Sequence, residues 1–344
     1  MRPTLAASLA LLALTGPALA RTKTPPAPTP EAIEAATFGE GDPSPALLAK
    51  LQILLDQHRI SVGAIDGHPG ENLQNALDTY RATEGIVARG PLDRETWDRL
   101  SAGAPKVLAR YRITAKDALG PFAHAIPASL EAKARLPHLG YASLSEALAE
   151  RFHVSPAFLA ALNRGHRLAA GATITVPAIR TFPDDLKTRI ARIEVDKRAK
   201  QVRAYSEENR FVAAYPATIG STSRPAPTGE RSVVSIAERP IYTYNPAYRF
   251  EGVKSTKPFV IKAGPNNPVG AAWIDLSVDG YGIHGTPDPE KIGKTASHGC
   301  VRLTNWDAGE LLRLVRPGTQ VRFIENDGAV AATDTNPAEV QAQR

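Results

Sequence analysis

The densest run of chemistry-bearing side chains is YGIHGTPDPEKIGKTASHGCVR, Tyr281 to Arg302, which sets two histidines, an arginine and the chain's single cysteine among glycines and turn formers. A thiol nucleophile needs a base to take its proton and donors for the charge that develops on an attacked carbonyl oxygen. Cys300 supplies the thiol, His284 the base, and the backbone N–H groups around His298 to Cys300 the donors, with Gly299 permitting close backbone approach. Arg302 stands two residues beyond Cys300. On an extended segment the two side chains share a face, where the guanidinium favours the thiolate or clamps a substrate carboxylate. Two other readings compete. His284, His298 and Cys300 make three candidate zinc ligands with a fourth position open, but no C-x-x-C or H-E-x-x-H pair accompanies them, and a thiolate held by metal is not a nucleophile. A buried, inert cysteine is the third reading, although inert thiols favour apolar surroundings and this neighbourhood is polar. The residues alone lead to a cysteine acyltransferase or hydrolase.

The elements that must position this run are mainly strands. ARIEVDKRAKQVRAYS, FVAAYPATIG, RSVVSIAERPIYTY, PFVIKAG, AAWIDLSV and YGIHGT are β-favouring segments divided by Gly, Pro, Asn and Asp. A short helix carrying Trp306, Gly309, Leu312 and Arg313 is entered through Thr304 or Asn305 and Asp307, and RPGT then turns the chain into a strand over Gln320 to Ile324.

Upstream the texture is helical. Residues 46–55 have helical periodicity, Asn72 is placed to cap a second helix with Leu73, Ala76, Leu77 and Tyr80 on one face, and Asp93 with Thr96 opens a third that carries Trp97 and Leu100. Ser143 with Glu146, then Ser155 with Pro156, start two further helices ahead of a β-branched strand, ATITVP. Composition agrees with a folded, multidomain chain: 344 residues, 43% hydrophobic, 22% charged, net charge +6. A surplus that small, without a local cluster, gives no case for nucleic acid, and one cysteine excludes an intrachain disulfide framework or an all-thiolate metal site.

Residues 1–20, with Arg2, an apolar stretch from Leu5 to Leu14, Gly16-Pro17 and small residues at Ala18 and Ala20, predict a cleavable secretory signal. Residues 21–45 form a proline-rich linker, and residues 327–344 hold too few apolar groups to pack.

The run from His284 to Arg302 closely resembles the signature of the L,D-transpeptidase, or YkuD, catalytic domain: an HG element, then SHGC, then V and R. Ala226–Glu230 (APTGE), Ala263–Gly270 (AGPNNPVG), Trp273 and the closing VRPGTQVRF are similar to the rest of that domain. The resemblance implies a mainly β catalytic domain with a short helix over 187–326 and no diffusible cofactor. In the family the cysteine attacks the third residue of a peptidoglycan stem peptide, expels the terminal D-alanine and passes the acyl group to an amine; the family also reacts with carbapenems. Carried over, Cys300 is the nucleophile and His284 the base, oriented by the Gly285 carbonyl. Ser297 and His298 support the site, Gly299 and Cys300 give oxyanion contacts, and Arg302 orders the site or binds a carboxylate. Tyr281, Trp273 and Asn267 are candidates for the substrate wall.

Residues 46–103 resemble a peptidoglycan-binding three-helix module, and residues 137–179 a LysM-like α/β module, which implies glycan strands as a second partner; a packing role without a ligand is the alternative for each. The resemblance thus implies a periplasmic, wall-associated enzyme that forms 3-3 cross-links or attaches an outer-membrane lipoprotein. An L,D-carboxypeptidase and a non-catalytic wall-binding scaffold are the alternatives.

Overall fold

The computed structural model describes residues 27–104, 106–179, 190–221, 224–248, 252–295 and 299–325. The expected signal, the start of the linker and the tail lie outside the described residues.

Helix α1 (Pro30–Ala35) lies against α2 (Pro45–Gln57), with Thr29 and Ser44 as N-caps and proline at each first turn. Helices α3 (Glu71–Glu84) and α4 (Arg94–Ser101) complete the helical unit, and Asp93 caps α4 by accepting the Thr96 N–H at 3.0 Å. Asn72 is not the cap of α3. Gly70 takes that place with no side-chain bond, and the Asn72 amide donates to the Ile292 carbonyl at 3.0 Å, on the loop between His284 and Cys300.

Strand β1 (Leu108–Arg112) is followed by α5 (Ala115–Leu119), α6 (Leu130–Ala134), α7 (Leu144–Arg151), α8 (Pro156–Leu162) and β2 (Thr173–Pro177). β1 and β2 pair antiparallel, Leu108 opposite Pro177 and Arg112 opposite Thr173. The partner of β2 therefore lies upstream of residue 137, and the stretch carrying α5 and α6 intervenes before α7. That stretch is tied to the following domain: the Glu131 carboxylate accepts the Lys254 and Ser255 N–H groups at 2.8 and 3.2 Å, and the Leu139 carbonyl accepts from Asn266 N at 3.0 Å. Buried apolar residues from Ile33 to Val176 make one continuous core that also takes in Ala214 of the β domain, so the helical unit and the β1–β2 unit share an interior.

Strands β3 (Ile190–Asp196), β4 (Gln201–Ser206), β5 (Phe211–Pro216), β6 (Thr218–Ile219) and β7 (Gly229–Glu238) begin the second core; β8 (Tyr242–Tyr244) and β9 (Phe259–Ile261) form a separate hairpin. Strands β10 (Ala272–Leu276), β11 (Gly282–His284) and β12 (Val301–Arg302), helix α9 (Asn305–Leu314) and strand β13 (Gln320–Ile324) follow. Among the described residues the main sheet has nine strands in the order β5-β4-β3-β13-β7-β10-β11-β12-β6. β3 runs parallel to β13 and β11 to β12; the other pairs are antiparallel. Only Ala217 separates β5 at one edge from β6 at the other, so the sheet curls until its edges come together. Helix α9 closes it with Ala308, Leu311, Leu312 and Leu314, all buried in the same apolar cluster as Ile193, Ile274 and Ile283.

Candidate active site

The parallel pair β11–β12 sets the register of the site. Ile283 lies opposite Val301 and His284 opposite Arg302, which leaves Cys300 at the mouth of the pair. The half-buried thiol donates to the Gly280 carbonyl at 3.7 Å and receives a hydrogen bond from the Gly282 backbone. Burial pushes its pKa up, with the Gly282 bond and the Arg302 charge pulling the other way and Asp275 adding to the rise. The resting group is therefore a thiol.

His284 is buried, and its Nδ1 lies 2.7 Å from the Gly285 carbonyl. A carbonyl only accepts, so Nδ1 carries the proton and Nε2 keeps the lone pair. The ring's pKa is pushed down to about 4, chiefly by burial; the Gly285 bond opposes the shift and Arg302 adds to it. At neutral pH the imidazole is thus neutral and the thiol keeps its proton. Arg302 is itself shifted down by burial, with Cys300 and Asp288 acting against the shift.

Gly299 has φ +111, a backbone conformation that side chains rarely adopt, and a Cβ there would come within 2.7 Å of the Tyr281 ring. Tyr281 therefore lies directly beside the residue preceding the thiol. Trp273, opposite His284 across β10 and β11, stacks on the imidazole with centroids 5.5 Å apart. Both rings are half-buried and flank the candidate base and nucleophile. Asn267 does not join them. It is fully buried, donates to the Ile261 and Lys262 carbonyls at 3.4 and 2.9 Å, and accepts the Val269 N–H at 2.9 Å, so its polar atoms brace the loop ahead of β10. A substrate-wall role for it is set aside on that geometry. Ser297 and His298 lie outside the described residues.

Sequence reasoning passed over three groups that the fold brings near. Gly280 and Gly282 hold the thiol through their backbones. Asn305 reaches from the first turn of α9 to accept the Ala271 N–H at 2.9 Å. Only the run of glycines before His284 carried a signal, as positions where backbone approaches closely.

Residues 190–323 match the YkuD family model, described as the L,D-transpeptidase catalytic domain. The Bacillus licheniformis protein named L,D-transpeptidase YkuD is 34% identical over 157 residues, which cover 46% of this chain and 77% of that protein. Its Bacillus subtilis counterpart is 32% identical over 176 residues, 51% of this chain and 89% of that protein. The Escherichia coli L,D-transpeptidase ErfK/SrfK is 32% identical over 162 residues, covering 45% and 50% respectively. With two relatives above 30% identity matched over more than two thirds of their length, the chain belongs to the L,D-transpeptidase family and carries its YkuD catalytic domain.

Proposed function

We propose that the chain is an exported, cysteine-dependent L,D-transpeptidase acting on tetrapeptide stems of peptidoglycan. The observation that carries this reading is the setting of Cys300: its sulfur is held by the Gly280 and Gly282 backbones at the mouth of the strand pair that carries His284, whose Nδ1 is committed to Gly285. In this reading His284 Nε2 takes the thiol proton as Sγ bonds to the carbonyl carbon of the third stem residue. The oxyanion is met by the Gly299 and Cys300 N–H groups. The C–N bond to D-alanine then breaks, and His284 returns the proton to the leaving amine. A stem-peptide amine attacks the thioester, loses its proton to His284 and displaces the thiol, leaving a 3-3 cross-link. A lipoprotein lysine enters the same acyl-enzyme by the same route. Ser297, His298 and Arg302 support the site, and Tyr281 and Trp273 flank the substrate.

The remaining parts serve delivery. Residues 1–20 export the chain to the periplasm, α2 to α4 act as a peptidoglycan-binding unit, and the β1–α7–α8–β2 arrangement acts as a LysM-like unit on glycan strands. The test is mass spectrometry of tetrapeptide muropeptides incubated with the protein lacking residues 1–20. Dimers with 3-3 linkage and free D-alanine are expected. Tripeptides without dimers would make it a carboxypeptidase, and unchanged substrate would make it a scaffold.

A further inference from the structure

Glu150 lies near the end of α7, yet it is only 6% exposed and sits at the junction with the catalytic domain. Its two oxygens accept from one donor, Asn305 Nδ2, at 3.0 and 3.1 Å, and the Tyr141 hydroxyl donates to Oε2 at 3.4 Å. The same Nδ2 donates to the Pro265 carbonyl at 3.1 Å. At the other end of the amide, Oδ1 accepts the Ala271 N–H at 2.9 Å and occupies the space over Gly270 and Gly285, where a Cβ on either glycine would collide with it. Gly285 donates its N–H to Ala272 at 3.1 Å and accepts from His284 Nδ1 at 2.7 Å.

Each link restricts the next. An asparagine amide can turn over and exchange its donor and acceptor ends. Turned over, Asn305 would set an NH2 group against the Ala271 N–H, donor against donor. The Glu150 carboxyl, together with the Pro265 carbonyl, accepts from Nδ2 and holds the orientation in which Oδ1 faces Ala271 and packs on Gly285. We propose that Glu150, acting through Asn305, is a positioning residue for the His284 base, by which the unit ahead of the catalytic domain holds the Gly285 carbonyl in place for Nδ1. This inference rests on the reading of His284 as the base toward Cys300. Burial pushes the Glu150 carboxyl up to about 8, with the Asn305 bond opposing. Its neutral form still offers a carbonyl oxygen to Asn305, which makes glutamine the closest substitute.

The test measures acylation of Cys300 by a carbapenem through intact mass, together with the ¹⁵N signals of His284 that report which ring nitrogen is protonated. The full chain lacking residues 1–20 is used throughout. Glu150→Ala and Asn305→Ala should acylate about 10- to 100-fold more slowly at saturating probe, with the apparent affinity unchanged, as for a displaced catalytic group. Their His284 signal should shift from the Nδ1–H form toward a mixture, and Glu150→Gln should recover most of the lost rate. Asn305→Leu, which keeps much of the volume but removes both the donor and the acceptor, serves where the alanine variants do not fold, and should show the same slowing and the same signal change. Wild-type rates in these variants, or slowing with an unchanged His284 signal, overturn the inference while leaving the cysteine reading intact. Absence of any adduct in the wild-type protein overturns the cysteine reading, and the inference with it.

Discussion

The indole of Trp273 lies stacked on the imidazole of His284, with centroids 5.5 Å apart and planes inclined by 22°. Gly282 makes room for it, since a Cβ there would come within 2.5 Å of the indole. The indole helps to keep water from a ring whose pKa burial pushes down to about 4. Trp273→Ala should let that pKa climb toward the ordinary 6.5. In the proposed role of His284 as base the ring works only when neutral, so the acid limb of the acylation rate profile should move to higher pH. Loss of the stacking, about 0.5–1.5 kcal/mol, should also slow the reaction roughly 2- to 10-fold. An unmoved acid limb would show that the indole does not shield the base.

Burial raises the pKa of the Cys300 thiol. Alkylation of the free enzyme by iodoacetamide should therefore be slow at pH 7 and keep rising with pH beyond the range of an ordinary exposed thiol, with no plateau near neutrality. The experiment is a rate profile read by intact mass. A fast, pH-independent reaction between pH 6 and 8 would instead indicate a standing thiolate.

Gly299→Ala meets two obstacles, a φ of +111 and the Tyr281 ring 2.7 Å from the new Cβ. Acylation should fall by about 100-fold or more, as expected for displacement of the reacting group. Adding Tyr281→Ala relieves the collision but not the backbone strain, so rescue should be partial. Full rescue by the double variant, measured with the same probe, would show that the backbone conformation is unimportant.

The helical and β1–β2 units meet α9 where Ser61 donates to Asp307 at 2.9 Å and where His153, 3.0 Å from Asp56, stacks on Trp306. Within the β domain itself, Tyr215 of β5 donates to Glu310 at 2.8 Å. Burial pushes Asp307 up to about 7 and Glu310 to about 8. Burial also works against the charged form of His153, but Asp56 outweighs it and holds that ring above its usual range. A group raised in the folded state contributes stability that is full below its unfolded pKa and lost as pH rises through the folded value. His284, shifted the other way, contributes stability that is lost as pH falls below about 6.5 toward about 4. Between about pH 6.5 and 8 the melting temperature should thus decline, and Asp307→Asn with Glu310→Gln should flatten the decline. A flat wild-type profile by thermal unfolding would contradict the assignment.

The candidate nucleophile and base were legible because the chemistry is concentrated in one short run, and the strands because they alternate with strong turn formers. The caps Asp93, Ser143, Ser155 and Thr304 were legible for the same local reason: each bonds within three residues of itself. What escaped was long-range. Asn72 has the composition of a cap, but its partner Ile292 is 220 residues away. Strand β1 has burial that does not alternate, and the segment carrying α5 and α6 separates it from the helices it accompanies. Glu150 and Asn305 each look like ordinary helix-end residues until the fold places them 155 residues apart in sequence and in contact. Asn267 lay within a family-like run, and only its burial shows that it braces a loop.

The most direct measurement of the central claim is intact mass spectrometry of the protein lacking residues 1–20, quenched during turnover of a disaccharide-tetrapeptide. The wild-type protein should gain the mass of the substrate less D-alanine on the peptide containing Cys300, and Cys300→Ala should show neither the adduct nor released D-alanine. Normal product formation by Cys300→Ala would contradict the account.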